Sequence, residues 1–455
     1  MSRKPLLLFG FMMNVPGHIS AGLWRHPDCQ AYRYTELSYW TDIAVKLDRA
    51  GFDALFIADA LGQLDVYQQK PDTALRLAAQ MPVNDPLLLV SAMAAATTHL
   101  GFGITVSTTY EQPYLLARKF TTLDHLTNGR IAWNLVTSML DSAARNLGLT
   151  QQIAHDERYD RAQEFLDVAC KLWEGSWEEE AVQRDKANSL YSDPAKVHNI
   201  NHAGRWYQVP GAHLSEPSPQ RTPVIFQAGT SSRGSRFAAH NAEVVFLGGV
   251  TAQAIAEDIA HIRQLAQEEG RGPDALRFIT AITVVTAATD DEARQKYADY
   301  QRYISEEAAL ALFSAWTGVD WSQEDLDTPL AFRETDACRS ALASLTRIDA
   351  EKPWTLRDAA RYIGIGGLHP VMVGGPESVA DQLDAFATAS GVDGFNLAWA
   401  ISPGSFDDFI EHVIPVLRAR GVVRELPANP LSLRERLSGQ PRLAADHPAT
   451  QFRRH

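Results

Sequence analysis

The sequence predicts an α/β protein built as a closed (β/α)8 barrel, and three observations carry that expectation. Short apolar runs alternate with amphipathic segments about eight times, the rhythm of parallel strands joined by right-handed helical crossovers. The runs are apolar throughout, as strands buried on both faces require. The length of 455 residues is about three average domains, a size that barrels with insertions reach as one domain.

The first strand is expected in PLLLFGFMM, residues 5–13. Ser2-Arg3-Lys4 before it imitates a secretion signal, but the run is too short to cross a bilayer and no small-x-small cleavage site follows. A helix opens at Thr35-Glu36, with Leu37, Trp40, Ala44 and Leu47 at helical spacing and Gly51 as its left-handed cap. DALFIAD, 53–59, is a strand ending in a carboxylate. Asp85 caps and Pro86 starts a helix through LLLVSAMAAATTH, 87–99. A strand at 102–107 leads to a helix from Pro113 to Asn128-Gly129, then to the strand RIAWNLV, 130–136, and a helix at 156–173. PVIFQAG, 223–229, enters a helix from Ser231. EVVFLGG, a helix at 252–270 and RFITAITVVTA repeat the rhythm. GFNLAWAIS, 394–402, and a helix at 406–418 close it. Two stretches interrupt, at about 174–218 and about 305–369. Both are expected as insertions on the C-terminal face of one domain spanning 1–427, with 428–455 as a charged tail over a surface.

Composition excludes several functions. Lys plus Arg number 42 against 55 for Asp plus Glu, a net charge of −13, which repels nucleic acid and anionic membranes. Cys29, Cys170 and Cys338 form no CxxC pair, so neither a disulfide framework nor a thiolate metal site is expected, and a reducing, cytoplasmic setting fits. His198 and His202 have zinc-like spacing but no accompanying glutamate, and no metal is expected. GIGG at 364–367 precedes VMVGG instead of joining a strand to a helix, so no dinucleotide domain is read from it.

Strand C-termini of a barrel converge on one face. Asp59, Ser107, Asn134, Thr137, Ser138, Gly229 and Ser231 therefore point at a common site. In QAGTSSRG, 227–234, a glycine and small hydroxyls at a strand-to-helix junction leave backbone N–H groups for an anion, with Arg233 as a counter-charge. A phosphate monoester such as that of FMN suits a nest of this size. His155 and Tyr159, four apart, share a helix face near it. His18 follows the first strand at the same end. The residues alone leave other readings open, a capped helix for QAGTSSRG and a cap or surface ion pair for Asp59.

GLWRHPDCQAYRYTELSYW, PVNDPLLLVSAMAAATTHL, STTYEQPYLLARKFTTLDHLTNGRIAWNLVTS, HDERYDRAQEFLDVACKLWEGSWEEEAV, EPSPQRTPVIFQAGTSSRG and GVDGFNLAWAISPGSF together resemble the flavin-dependent monooxygenases of the bacterial luciferase-like superfamily. The resemblance is to the group of nitrilotriacetate and dibenzothiophene-sulfone enzymes. LFSAWTGVDW and WTLRDAARYIGIGGLHPVMVGGP are most similar to its dimethylsulfide and then its long-chain alkane members. It implies a barrel of the luciferase type that takes reduced FMN from a separate NADH-dependent flavin reductase and uses dioxygen to oxidise a small apolar or organosulfur substrate. It also implies a homo-oligomer, a dimer or tetramer. Carried over by position, it implies FMN contacts at Asp59, Ser138, Tyr159, Ala228, Gly229, Thr230 and Ser231, with Ser107, Asn134 and His155 at similar places. His18 is then the candidate catalytic residue, orienting or protonating the reacting oxygen. Val15-Pro16 departs from a cysteine that the alkane and dimethylsulfide enzymes share, and Met139, Ala309 and Leu312 depart from histidines of the alkane enzymes, which turns the expectation away from long-chain alkanes and toward a small thioether or related organosulfur compound. An alkane monooxygenase of the same family, a deazaflavin-dependent oxidoreductase and a non-catalytic flavin-binding protein on the same fold are the alternatives.

Overall fold

The computed structural model describes residues 4–330 and 354–454, with Leu345 from the stretch between them. Cys338 and the rest of 331–353 in the second expected insertion lie outside the described residues, as do Ser2 and Arg3.

Eight parallel strands close into a ring. β1 (Leu7–Met13) pairs with β2 (Ala54–Ala58), which pairs with β3 (Gly101–Ser107), and β3 pairs with β4 (Ile131–Val136). Two small hairpins, β5 (Val182–Asp185) with β6 (Leu190–Ser192) and β7 (His202–Ala203) with β8 (Gln208–Val209), intervene. The ring resumes as β9 (Val224–Ala228) beside β4, then β10 (Val244–Leu247) and β11 (Arg277–Thr286). β12 (Val371–Gly374) pairs with the second half of β11 outside the ring, an element the sequence reading did not assign. β13 (Gly394–Ala398) joins β11 to β1 and closes the barrel. The expected architecture is thus observed.

The barrel interior is aromatic. Phe56 and Phe246 stack at 4.4 Å and Phe9 and Phe226 at 5.8 Å. A Cβ on Gly103 would come within 2.5 Å of the Phe226 ring, so the glycine makes room for that layer.

Three expectations need correction. The helix expected through residue 99 is a 3-10 turn, Leu87–Leu89, running into an α-helix that ends at Ala95. The Asp48 carboxylate captures the N–H groups of Thr98, His99 and Leu100 at 3.2, 2.7 and 2.7 Å and turns the chain into β3. The closing helix is broken by a π-turn, Phe409–Val413, just ahead of Pro415, which has no N–H to give. The first insertion follows the C-terminus of the His155–Gly175 helix, so it begins at the barrel's opposite end, where Gln220 meets Asp124 and Arg434. Only the second insertion reaches the strand C-termini.

The residues after Pro427 do more than lie over a surface. Ser432 and Glu435 form a capping box that starts the Leu433–Ser438 helix, and Leu433 and Leu437 enter the aromatic layer from the N-terminal end of the strands. The buried Arg434 guanidinium meets both Glu243 oxygens at 2.7 and 3.0 Å. Arg436 pairs with Asp53 at 2.9 Å, whose other oxygen accepts the Leu8 N–H. Removing one partner of such a pair strands a buried charge, at a cost of about 3–5 kcal/mol. This end is a plug, which leaves the other end for chemistry.

Candidate active site

Two cavities open at the C-terminal ends of the strands. The first, about 260 Å³, is lined by Asp59, Ser138, His155, Arg158, Tyr159 and the 227–231 turn, among others. The second, about 400 Å³, is lined by Phe11, His18, Phe56, Phe246, Trp316, His369 and Asn396, among others. They share Asp59, Ala60, Met139, Ala228, Gly229 and Thr230.

The first cavity brings a glycine turn, a helix N-terminus and a cation to one wall. β9 delivers Ala228, and Gly229 turns the chain at φ +141°, a conformation glycine takes without strain. A Cβ there would come within 3.2 Å of the Gln227 amide and 3.3 Å of the Tyr159 hydroxyl. Ser231 caps the Ser232–Asn241 helix, its Oγ accepting the Gly234 N–H at 3.1 Å, so the positive helix end faces the cavity. His155 Nε2 lies 3.3 Å from Ser231 Oγ, and its Nδ1 lies 2.7 Å from Asp156. Ser138, at φ +56°, donates from its Oγ to Ser107 at 2.8 Å.

Eight of the ten expected cofactor contacts, Asp59, Ser138, His155, Tyr159, Ala228, Gly229, Thr230 and Ser231, line this cavity. Ser107 and Asn134 line neither. Ser107 supports Ser138 from behind, and the buried Asn134 donates to Thr105 Oγ1 at 2.8 Å inside the barrel. Arg233, expected as the counter-charge, is instead ion-paired with Asp160. The cation at the cavity is Arg158, buried and held by a 2.6 Å bond to the Ile153 carbonyl. It lies three residues after His155 on the same helix face, so the i, i+3 spacing is the sequence signal that marks it.

The second cavity is apolar apart from a few groups. His18 is buried, edge-on to Phe11 at 4.6 Å and tilted against Trp399 at 6.2 Å. Its loop is pinned by Ser20, whose hydroxyl meets the carbonyls of Ile365 and Trp399, both at 3.0 Å. His18 Nδ1, His369 Nδ1 and Asn396 Oδ1 are buried with no hydrogen-bond partner among the described residues. Each such atom costs about 1–3 kcal/mol unless a bound group completes it. Burial pushes His18 down to about 3, with repulsion from His369 adding to it, and pushes His369 down to about 4. An imidazole held that low is neutral near pH 7, which narrows His18 to a neutral hydrogen-bonding group. Burial raises the Asp59 carboxyl to about 6; the Ala60 N–H opposes this and Asp85 adds to it.

These shifts fix a pH dependence. His213 and His447 are likewise lowered to about 4, chiefly by burial. Between about 4 and their ordinary 6.5 the unfolded chain binds protons that the native chain refuses. Stability therefore rises with pH through this window and is lost as pH falls, by up to about 1.4 kcal/mol per pH unit for each histidine. Asp59 acts in the opposite sense below about 6. The thermal midpoint is expected to fall steeply from pH 6.5 to 4.5, with a shallower slope in His213→Phe; a flat profile would contradict the burial assigned to these rings.

No helix of the described residues is long and apolar enough to cross a membrane. The model of the luciferase-like monooxygenases matches residues 15–394. The chain is 51% identical to the dimethyl-sulfide monooxygenase of Hyphomicrobium sulfonivorans over 99% of its own length and 94% of that protein's. It is 47% identical to the long-chain alkane monooxygenase of Geobacillus thermodenitrificans, over 99% and 98%. The solved structure of a riboflavin lyase, holding a modified FMN and riboflavin as substrate, matches with a TM-score of 0.92 at 40% identity over 99% of this chain and 100% of that one. Fold, cavities and sequence agree, and the chain belongs to the luciferase-like monooxygenase family.

Proposed function

We propose that this protein is the oxygenating component of a two-component system. It would take reduced FMN from a separate NADH-dependent flavin reductase and use dioxygen to oxidise a small apolar or organosulfur substrate of the dimethyl-sulfide kind. The observation that carries the reading is the adjoining pair of cavities, one with a helix N-terminus and Arg158 in its wall and one largely apolar. The residues present fit FMN: Ser231, Tyr159, His155 and Arg158 would hold its phosphate, and Asp59, Ser138 and the Ala228–Thr230 backbone would flank the rest. When bound in reduced form, FMN supplies the two electrons with which dioxygen is activated. The chain's part is to bind, orient and exclude water. Phe11, Phe56, Phe246, Trp316 and Leu368 keep the second cavity apolar, and His18 presents a neutral imidazole to whatever reacts there. His18 is proposed as the catalytic residue. Ser107 and Asn134 are proposed to act behind the cofactor contacts. A single barrel domain over 1–427, plugged at its N-terminal end by the residues that follow, a cytoplasmic location and a dimer or tetramer complete the proposal.

Oxygen uptake tests it. With FMN, NADH and a generic flavin reductase, dioxygen is consumed in either case, and adding dimethyl sulfide is expected to lower the hydrogen peroxide released per dioxygen consumed, with oxidised product appearing in its place. Turnover of a reduced deazaflavin with no oxygen uptake would favour the deazaflavin oxidoreductase. Tight binding of oxidised FMN with no turnover would favour a flavin-binding protein.

A further inference from the structure

His369 sits at the end of the second insertion. Two close glycine contacts set its loop. A Cβ on Gly364 would fall 2.4 Å from Ile304, and Gly367, at φ +58°, lies against Ile19. The His369 peptide is then tied at both ends, its N–H donating to Gly366 at 3.0 Å and its carbonyl accepting the Tyr362 hydroxyl at 2.6 Å. Its backbone is fixed and its ring is left to the second cavity.

We propose that His369 is a substrate-contacting residue which, paired with His18, forms an uncharged hydrogen-bonding subsite on the wall that the second insertion adds to this cavity. The inference rests on the flavin reading above and deepens it. Phe11 lies edge-on to both imidazoles, at 4.6 Å from His18 and 6.4 Å from His369. The Nδ1 atoms of both rings and Asn396 Oδ1 are buried without partners among the described residues, and both rings line the cavity, so Nε2 is the edge each imidazole offers to whatever fills the space. No lysine or arginine lines this cavity among the described residues, whereas the first has Arg158. Burial keeps both rings neutral, and a neutral imidazole offers one donor and one acceptor but no charge. The matching ligand is an uncharged molecule with one polar or soft atom on an apolar body. A carboxylate would enter with no cation to meet it.

The test uses two probes of equal size, 2-(methylthio)acetamide and 2-(methylthio)acetate, titrated into the full-length protein labelled with 15N-histidine, with and without FMN. The amide is expected to bind at least tenfold more tightly than the acetate and to shift the two imidazole signals that disappear in His18→Phe and His369→Phe. His369→Phe is expected to weaken the amide about tenfold, with FMN affinity kept within about twofold, and His369→Asn to recover part of the loss. Acetate binding as well as amide, a silent His369 signal, or unchanged amide affinity in His369→Phe would overturn the proposal. A tenfold loss of FMN affinity in that variant would assign the ring to the flavin and overturn it too. If His369→Phe does not fold, the His369 signal in the wild type and the affinity of His369→Asn decide. Failure of FMN to bind while the amide still shifts His369 would sink the flavin reading and leave the subsite standing.

Discussion

Replacing His18 with alanine is expected to lower the product formed per reduced flavin consumed by about 100-fold, the scale of one hydrogen-bonding group removed from a reacting centre. The reducing equivalents should appear as free hydrogen peroxide. The ring stands at the mouth of β1, held between Phe11 and Trp399, with Nδ1 unsatisfied and the loop pinned by Ser20. It contributes nothing to the first cavity, so FMN affinity should stay within about twofold. Product and peroxide yields with dimethyl sulfide measure this, and full coupling in the variant would remove His18 from the chemistry.

Arg158→Ala should act at the other end of the site. A buried guanidinium beside a helix N-terminus is placed for a dianion, and a charge-assisted hydrogen bond is worth about 1.5–3 kcal/mol. FMN affinity is therefore expected to fall about 10- to 100-fold, while riboflavin, which lacks the phosphate, loses less than about threefold. Anaerobic titrations of both reduced flavins separate the cases. Equal losses for the two would mean that Arg158 serves the fold through its bond to Ile153.

The barrel was legible because burial on both faces leaves uninterrupted apolar runs, and every ring strand follows one of them. The turn at Gly229 to Ser231 was legible because glycine and serine at a strand-to-helix junction mark a tight turn and a helix cap, both of which form here. Chain order predicts poorly what tertiary partners decide. Arg233 and Arg158 look alike in sequence, and only the placement of Asp160 tells which is engaged on the surface. β12 hid in VMVGG because its partner is the far half of β11 rather than a ring neighbour. His369 carried no local signal, since its position depends on Gly364 and Gly367 letting distant segments approach. GIGG thus serves packing, the opposite of a ligand loop.

The most direct test of the monooxygenase reading is product analysis under 18O-labelled dioxygen, with FMN, NADH and a generic flavin reductase. Dimethyl sulfide, longer thioethers, sulfones and alkanes would be compared in parallel. One labelled oxygen atom is expected in the product from a small thioether, with formation dependent on FMN. Product formation that is indifferent to FMN, or product oxygen drawn from water, would contradict it.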